Sequence, residues 1–476
     1  VTLGNASVND VYMAHDSGAT VHCLDIKPSG GALKENLISN SGFGSWSQGT
    51  TTFINDQVTN GDFGSNVSSW TAGRAASVTH NSTDDYMRIT NGGTTAGTAH
   101  QAASTVIGKW YRLKMDIKTL SGVSQAYVRL MTGADASGTS RIEHSSGVAN
   151  NITKYYQAVA TETVYVTCQV YSGSEGDYVE YDNVSFTEVV PACEGADTKA
   201  PDEWYKIGAS TCKIYREQAG ANTKDGEEYS LKVVTTAVQQ YVVSNYTLGG
   251  NRHYYERFRG RTVTMGAWVK TSNAGVTVIV GDSAAETGST AHGGGGGWEW
   301  LESTRTFGDD ITRAYFGIRN TTTANTTFYM SQPICVFGNS IGEGNYTRPL
   351  KEIIYLDGDC EVINTSFSTG TGSFDLEENS GWKLPSGIRA IVNSRITVKD
   401  SGSSGANVVG YLYPASGYEN GIGFNIGNDG YTLANDDHHL FNSGYMRTVD
   451  AGMTYNFIAS GSGTLDVAMW VRAIEV

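Results

Sequence analysis

The nine residues WYRLKMDIK, Trp110 to Lys118, put Tyr111, Leu113, Met115 and Ile117 in alternation with Arg112, Lys114 and Asp116. A period of two places successive side chains on opposite faces of an extended chain, so this segment hides its apolar residues together only as a β-strand. The period returns in TVTMGAWVK, where Val263, Met265, Ala267 and Val269 share a face and Trp268 lies opposite. It closes the chain in TLDVAMWVRA, where Leu465, Val467, Met469 and Val471 alternate with Asp466, Ala468, Trp470 and Arg472. Similar runs recur at the short intervals that suit sandwiches. Fifty-eight glycines, seven prolines and twenty-seven tyrosines, with only 17% charged residues, fit many short strands joined by polar turns. The fold class expected is all-β, with tandem jelly-roll or β-sandwich domains and a short N-terminal tether. At 476 residues the chain has room for about three cores.

A formal charge of −15 opposes a large phosphate-binding surface, so neither nucleic acid nor an anionic membrane is an expected partner. No run of 18 apolar residues occurs, and no membrane insertion is expected. Six cysteines, Cys23, Cys168, Cys193, Cys212, Cys335 and Cys360, are too few for a disulfide scaffold in a chain this long. Buried thiols are the default, with Cys193 and Cys212 the one pair that flanks a short loop.

A near-repeat opens the chain. Asn36-Leu-Ile-Ser-Asn-Ser-Gly-Phe43, followed by Trp46, resembles Gln57-Val-Thr-Asn-Gly-Asp-Phe63, followed by Trp70. Each copy reads as a short strand, a turn and an aromatic plug. After the second copy, strand signals continue through AYVRLMTG, TVYVTCQVYSG and YVEYDNVSFTEV to Val190. After Pro191-Ala-Cys-Glu-Gly-Ala-Asp197, which reads as a linker, a second series begins with EEYSLKVVTT and ends in TTFYMSQPICVFG; beyond Arg348 a third begins. The expected divisions are 1–55 as a tether packed on sister chains or a larger particle, 56–190 and 191–348 as jelly rolls, and 349–476 as a C-terminal sandwich.

The opening QVTNGDF with its Trp, and the closing VEYDNVSFTEV, resemble the first and last strands of jelly-roll carbohydrate-binding modules of families 4 and 9. Modules of that kind accompany secreted polysaccharidases and bacteriophage tail fibres and decoration proteins. The order YSLKV, RGRTVTMGAWVK, a glycine-rich loop with WEWL and a closing PICVFG resembles a jelly roll of phage tail-fibre and other virion-surface proteins. The resemblance implies a calcium ion tying first strand to last, with Asp62 and Asp182 standing where ligands would be. Solvated turn aspartates are the alternative.

The stretch AHGGGGGWEWL sets five glycines against Trp298 and Trp300. A phosphate loop would need a following Lys-Ser/Thr and a helix, and neither is present. A loop feeding a strand remains. The two tryptophans share a strand face, where they form either a stacking platform for sugars or core packing, the commoner fate of a strand tryptophan. In RHYYERFRGR, Arg252, Arg257, Arg259 and Arg261 interleave with Tyr254, Tyr255 and Phe258, a patch for an acidic glycan or a neighbouring subunit, or else an edge strand guarded by charge. Trp298, Trp300, Tyr254 and Tyr255 are the candidate glycan contacts. The run Asn435-Asp-Asp-His-His439 reads as a polar turn, because adjacent residues on a strand point apart.

No nucleophile elbow or HExxH motif occurs, and paired catalytic carboxylates cannot be picked from 48 acids. The expected function is that of a non-enzymatic virion-surface protein of a tailed phage, whether fibre, spike or decoration. Its expected partners are its own copies, as a homotrimer, other virion proteins and cell-surface glycans. The alternatives are the non-catalytic carbohydrate-binding part of a secreted polysaccharide-degrading enzyme and a bacterial extracellular filament subunit.

Overall fold

The structure is a computed structural model that describes residues 35–475, apart from 94, 172–173, 196–200, 208–211, 245–254, 322–324, 349–351, 368–369, 386–390, 401–407, 415–421, 427–437, 448–451 and 460–464. Cys23, Arg252, Tyr254 and Asn435–Asp437 lie outside the described residues, as does 1–34 of the expected tether.

Alternation decides the layers. Tyr111, Leu113, Met115 and Ile117 are buried in one core, and Val263, Met265, Ala267 and Val269 in another. After β1 (Thr50–Ile54), the chain runs through β2 (Thr71–Gly73), β3 (Ser77–Asn81), β4 (Tyr86–Thr90), β5 (Thr98–Thr105), β6 (Trp110–Ser121), β7 (Ala126–Gly133), β8 (Ser137–Ser146), β9 (Ala149–Gln157), β10 (Glu162–Val170) and β11 (Tyr178–Cys193). One sheet has the order β2-β5-β10-β7-β8, and β3, β4, β11, β6 and β9 form the layer facing it across a shared core.

The next sandwich contains β12 (Trp204–Ile207), β13 (Lys213–Glu217), β14 (Ser230–Val234), β15 (Gln240–Ser244), β16 (Thr262–Thr271), β17 (Val276–Asp282), β18 (Glu286–Gly288), β19 (Trp298–Thr306), β20 (Ala314–Asn320) and β21 (Thr327–Phe337). Its sheets run β12-β15-β20-β17-β18 and β19-β16-β21-β14-β13. A third holds β22 (Ile353–Phe367), β23 (Gly370–Asp375), the short helix α1 (Leu376–Asn379), β24 (Ile391–Asp400), β25 (Val408–Pro414), β26 (Ile422–Ile426), β27 (His438–Arg447), β28 (Gly452–Ala459) and β29 (Leu465–Glu475), in the sheets β22-β29-β24-β27 and β23-β28-β25-β26. Trp470, on the second face of β29, sits beneath the Arg395 guanidinium, 4.6 Å from its ring centre. The all-β class and the tandem sandwiches are as expected; the tether reaching to residue 55 and the linker starting at Pro191 are not.

Residues 35–49, expected in a tether, are core of the second sandwich. Ile38, Phe43 and Trp46 are buried there beside Trp204, with the Phe43 and Trp204 rings 5.1 Å apart. The first sandwich is therefore inserted into the second, whose opening turn precedes it. The expected linker is also strand: Pro191, Ala192 and Cys193 complete β11, whose last residues pair with β13 and so join the two sandwiches in one continuous sheet.

The near-repeat is a repeat in space. Asn36 Oδ1 accepts from the amides of Ile38 and of Cys335 on the closing strand, at 3.1 and 3.0 Å. Asp56 Oδ1 accepts from Val58 and from Phe186 on its own closing strand, at 3.1 and 3.0 Å. Four residues after each pin comes Asn40 or Asn60, at φ 52° and 54°, then Phe43 or Phe63, at 56° and 48°. Each closing strand carries a bulge three residues before its pinned amide, Gln332 or Asn183, both at φ 52°. Phe63 packs against Trp70 at 5.7 Å.

Buried charges hold the sandwiches to one another. Lys109 of the first donates to Glu188, at 2.6 Å, and to Glu217 of the second, at 3.0 Å. Burial alone would lower the Lys109 pKa, but the two carboxylates outweigh it and hold it above its ordinary value. Glu377 in α1 accepts from Arg216 of the second sandwich and from the Trp110 indole of the first, both at 2.7 Å. Trp382 covers that corner, 5.8 Å from Trp110 and 4.5 Å from Tyr155. Asp202 accepts from Ser45 and Ser47 and from the Asp357 amide, which fastens the third unit to the second.

Candidate functional site

In the sheet β2-β5-β10-β7-β8, Ala99, Ala103, Val128, Leu130, Val164 and Val166 point into the core, which leaves Thr98, His100, Tyr127, Arg129, Tyr165, Thr167 and Gln169 on the outer face. Outer residues of a sandwich are normally wet. Here Thr98 and Thr167 are 0% exposed, Gln169 2% and His100 8%. The cover is the β7–β8 hairpin. Two register shifts release it from the sheet, and its tip crosses to the opposite edge. There Asp135 accepts from the Thr98 hydroxyl at 2.5 Å, while Arg74 donates to the carbonyls of Asp135 and Ala136 at 3.1 and 3.2 Å. A Cβ on Gly73 would stand 2.0 Å from the Asp135 carboxylate, so β2 needs glycine where the tip lands.

The rest of this face is aromatic and polar, with Tyr171 and Glu143 exposed and Tyr127 and Tyr165 half-buried. Tyr127 stacks on Tyr171 at 4.7 Å, and the Arg129 guanidinium lies 3.9 Å from the Tyr127 ring centre. Arg129 donates to Gln169 at 2.7 Å and pairs with Glu143 at 3.2 Å. The Tyr165 ring meets His100 edge-on at 5.8 Å. Two polar atoms here, His100 Nδ1 and Arg129 Nε, are buried and make no hydrogen bond. Burial lowers the His100 pKa, with the Asp135 carboxylate opposing. The partly exposed tyrosine faces can stack on a sugar ring, and the exposed Glu143 carboxylate beside Arg129 can accept from its hydroxyls.

The tryptophan face lies on the second sandwich. Leu301 and Ser303 of β19 point inward, and Trp298 and Trp300 outward, both half-buried and outside the core, so core packing fails for the pair. Trp300 lies flat across Gly266, where a Cβ would come 2.2 Å from its ring; it meets the cross-strand Trp268 at 5.9 Å and donates to Glu302 at 3.1 Å. Lys224 sits 4.2 Å from the Trp268 ring centre. Trp300 and Trp268 thus already have partners within the chain. The glycine loop at this end wraps a buried His292: Gly294 N–H donates to Nδ1 at 2.9 Å, and Nε2 pairs with the Gly297 carbonyl at 3.2 Å. Gly294 and Gly296 adopt φ of 81° and 77°, which is why glycine is required at those two.

Tyr255 does not join the tryptophans. It packs with Leu37 and Phe337 against the second core, beside a 3-10 turn at Glu256–Phe258, where an edge strand was expected. The arginines there bond backbone: Arg257 to the Leu37 carbonyl and Arg259 to that of Ile311. Asp62 and Asp182 are the two aspartates expected at one calcium ion. Asp182 faces Lys118 at 3.7 Å and accepts from Asn183 at 2.9 Å, while Asp62 is exposed in a cleft that also holds Arg112 and Lys114. Among the described residues, no group of three or more His, Cys, Asp or Glu is placed to hold a metal. The opening segment is tied to the last strand by the pairing of β1 with β11, by the Phe186 N–H donated to Asp56 and by backbone bonds from Gln57 to Phe186 and from Val184 to Gly61. Cys193 and Cys212 are buried and form no disulfide with one another.

The residues that sequence reasoning missed are Tyr127, Arg129, Tyr165, Gln169, Tyr171 and His100. Their signal was in plain view: in TVYVTCQVY the apolar Val164, Val166, Cys168 and Val170 alternate with Tyr165, Thr167, Gln169 and Tyr171.

No family model and no curated protein matches the chain. Among solved structures it is similar to a family 4 carbohydrate-binding module, CBM4, at 17% identity over 28% of this chain and 99% of that one, with a TM-score of 0.24. It is similar to the tandem CBM22-1–CBM22-2 domain of Paenibacillus barcinonensis Xyn10C, at 12% identity over 61% and 99% of the two chains and a TM-score of 0.24. A triple jelly-roll protein of an archaeal virus turret matches at 9% identity over 86% and 90%, with a TM-score of 0.17. Scores this low support no argument about what the chain binds.

Proposed function

We propose that this chain is a non-catalytic surface protein that contacts glycans through the outer face of the β2-β5-β10-β7-β8 sheet, and that it serves as a fibre, spike or decoration subunit on a tailed-phage virion. The observation that carries the glycan reading is the clustering, on that one face, of three partly exposed tyrosine rings, Tyr127, Tyr165 and Tyr171, beside Arg129 and the exposed Glu143 carboxylate. Aromatic faces stack on sugar rings while polar neighbours meet their hydroxyls. The placement on a virion is supported by the joints at Lys109, Glu377 and Asp202, which suit a part whose task is to hold binding faces apart at fixed angles. Weak contacts of this kind gain from many copies, by roughly 10²–10⁴-fold in avidity.

Retention of the whole chain on immobilised bacterial surface polysaccharides tests the reading. Tyr165→Ala and Arg129→Gln should each weaken binding roughly 5- to 150-fold, as for a lost contact of about 1–3 kcal/mol. Trp300→Ala should change it less than about twofold, its ring already having partners in the chain. Full retention in the Tyr165→Ala, Arg129→Gln double variant would remove this face from the reading. Light scattering should report three chains per particle, and a strict monomer would count against the fibre role.

A further inference from the structure

A second polar cleft lies on the opposite side of the inserted sandwich. Its floor is Arg112, Lys114 and Ser185 on β6 and β11, and its walls are the turn from Asp56 to Asp62 and the bulge at Asn183. The volume is about 440 Å³, within the range of roughly 300–1,000 Å³ found for small-molecule sites. Superposing the repeat on itself gives the cleft its meaning. Lys114 pairs with the residue before the pinned Phe186, and Gly266 pairs with the residue before the pinned Cys335. In the second sandwich this place is filled by the Trp300 indole lying over Gly266. In the inserted sandwich it stands open, with two cations in it.

Two carboxylates, Asp56 and Asp62, line the cleft with them, yet neither forms an ion pair with Arg112 or Lys114. Arg112 Nε is buried and has no acceptor, and its guanidinium stacks on Phe53 at 3.5 Å. Burial lowers the Arg112 pKa, and the nearby Tyr155 and Asp56 only partly oppose the fall. Asp56 is committed to the amides of Val58 and Phe186. Among the described residues the Lys114 side chain takes part in no hydrogen bond or ion pair, and neither does the Asp62 carboxylate across the cleft. A half-buried guanidinium with an unmet Nε, beside a lysine that forms no ion pair, can receive the oxygens of an anion, and a free carboxylate across the cleft can accept from hydroxyl donors.

We propose that this cleft binds an acidic sugar residue, whose carboxylate lies between Arg112 and Lys114 and whose ring hydroxyls donate to Asp62. The site is distinct from the tyrosine face and does not depend on it. Calorimetric titration of the full chain with trigalacturonate, the neutral maltotriose and inorganic sulfate separates the sources of the anion. Trigalacturonate should bind, with Lys114→Gln weakening it at least tenfold and Asp62→Asn several-fold, and maltotriose should not compete at this site. Both substituted residues lie at the cleft surface, and unchanged melting of the variants confirms their fold. Sulfate binding as tight as the oligouronide, with no loss in Asp62→Asn, would reduce the site to a bare oxyanion hole and overturn the sugar assignment. So would an oligouronide that fails to bind, or whose binding survives Lys114→Gln. In the Tyr165→Ala variant, binding here should be unchanged; its loss would place the ligand on the other face and end the proposal.

Discussion

The two interlocked sandwiches are built on one scheme and differ in what they leave on their surfaces. Each begins with a side-chain pin to its closing strand, an asparagine at positive φ, a phenylalanine plug and a bulge opposite. One covers the adjoining outer surface with its own tryptophan, and the other leaves a charged cleft there. The inserted sandwich also covers part of its other face with a hairpin that its host has no match for among the described residues. The positions that the two share are fixed by backbone geometry and burial; those that differ point outward, where a ligand can act on them.

The comparison is tested most severely at the plugs. Phe43→Ala and Phe63→Ala should each destabilise by about 3–5 kcal/mol, the usual cost of truncating a buried aromatic. Hydrogen exchange of the full chain should place the first loss in residues 191–348 and the second in 56–190. Were Phe43→Ala to leave 191–348 protected, the insertion would be refuted.

Gly266→Val is next. Its side chain would meet the Trp300 ring, and overpacking of this kind costs about 1–3 kcal/mol. Trp300 fluorescence should shift toward that of a wet indole. The matched Lys114→Gln, in an open cleft, should stay within about 0.5 kcal/mol, so equal effects at the two positions would break the correspondence.

The pins should differ as well. Asn36 is 4% exposed, and Asn36→Ala strands buried amides at a cost of about 1–2 kcal/mol, measurable by urea unfolding. Asp56 lies at the surface, where water can replace it, and Asp56→Ala should cost less. The smallest effect is that of pH. The folded His100 has a pKa below its ordinary value of 6.5, so below that pH the unfolded chain takes up a proton that the folded one resists. Stability of the inserted sandwich should fall as pH drops through that window, and His100→Gln should flatten the profile. A profile unchanged by the substitution would show that His100 is not the group responsible.

The strands were legible because a period of two is a local property of sequence. So was the aromatic repeat, but its meaning was not: Asn-Ser-Gly-Phe43 and Asn-Gly-Asp-Phe63 are similar stretches, and only the partners of the pins before them, Cys335 for Asn36 and Phe186 for Asp56, show that they begin different sandwiches. Trp300 was readable as core or platform because its surroundings turn on Gly266, whose missing side chain lets the indole lie down. The covered face was hidden for a related reason. Nothing local to Asp135 says that it ends beside Thr98, since the crossing depends on register shifts in a distant pairing.

The insertion also sets an order of assembly. As the chain leaves the ribosome, residues 35–49 emerge with none of the strands that will cover them, and β21 is made almost three hundred residues later. Everything the inserted sandwich needs is synthesised by Cys193, so it can close first. Once closed, it holds Thr50–Ile54 against Glu188–Ala192 and shortens the loop that the waiting segment must bridge. The guest domain thereby acts as a folding clamp for its host, and a defect in the guest should appear during synthesis as Phe43 and Trp46 left exposed to chaperones.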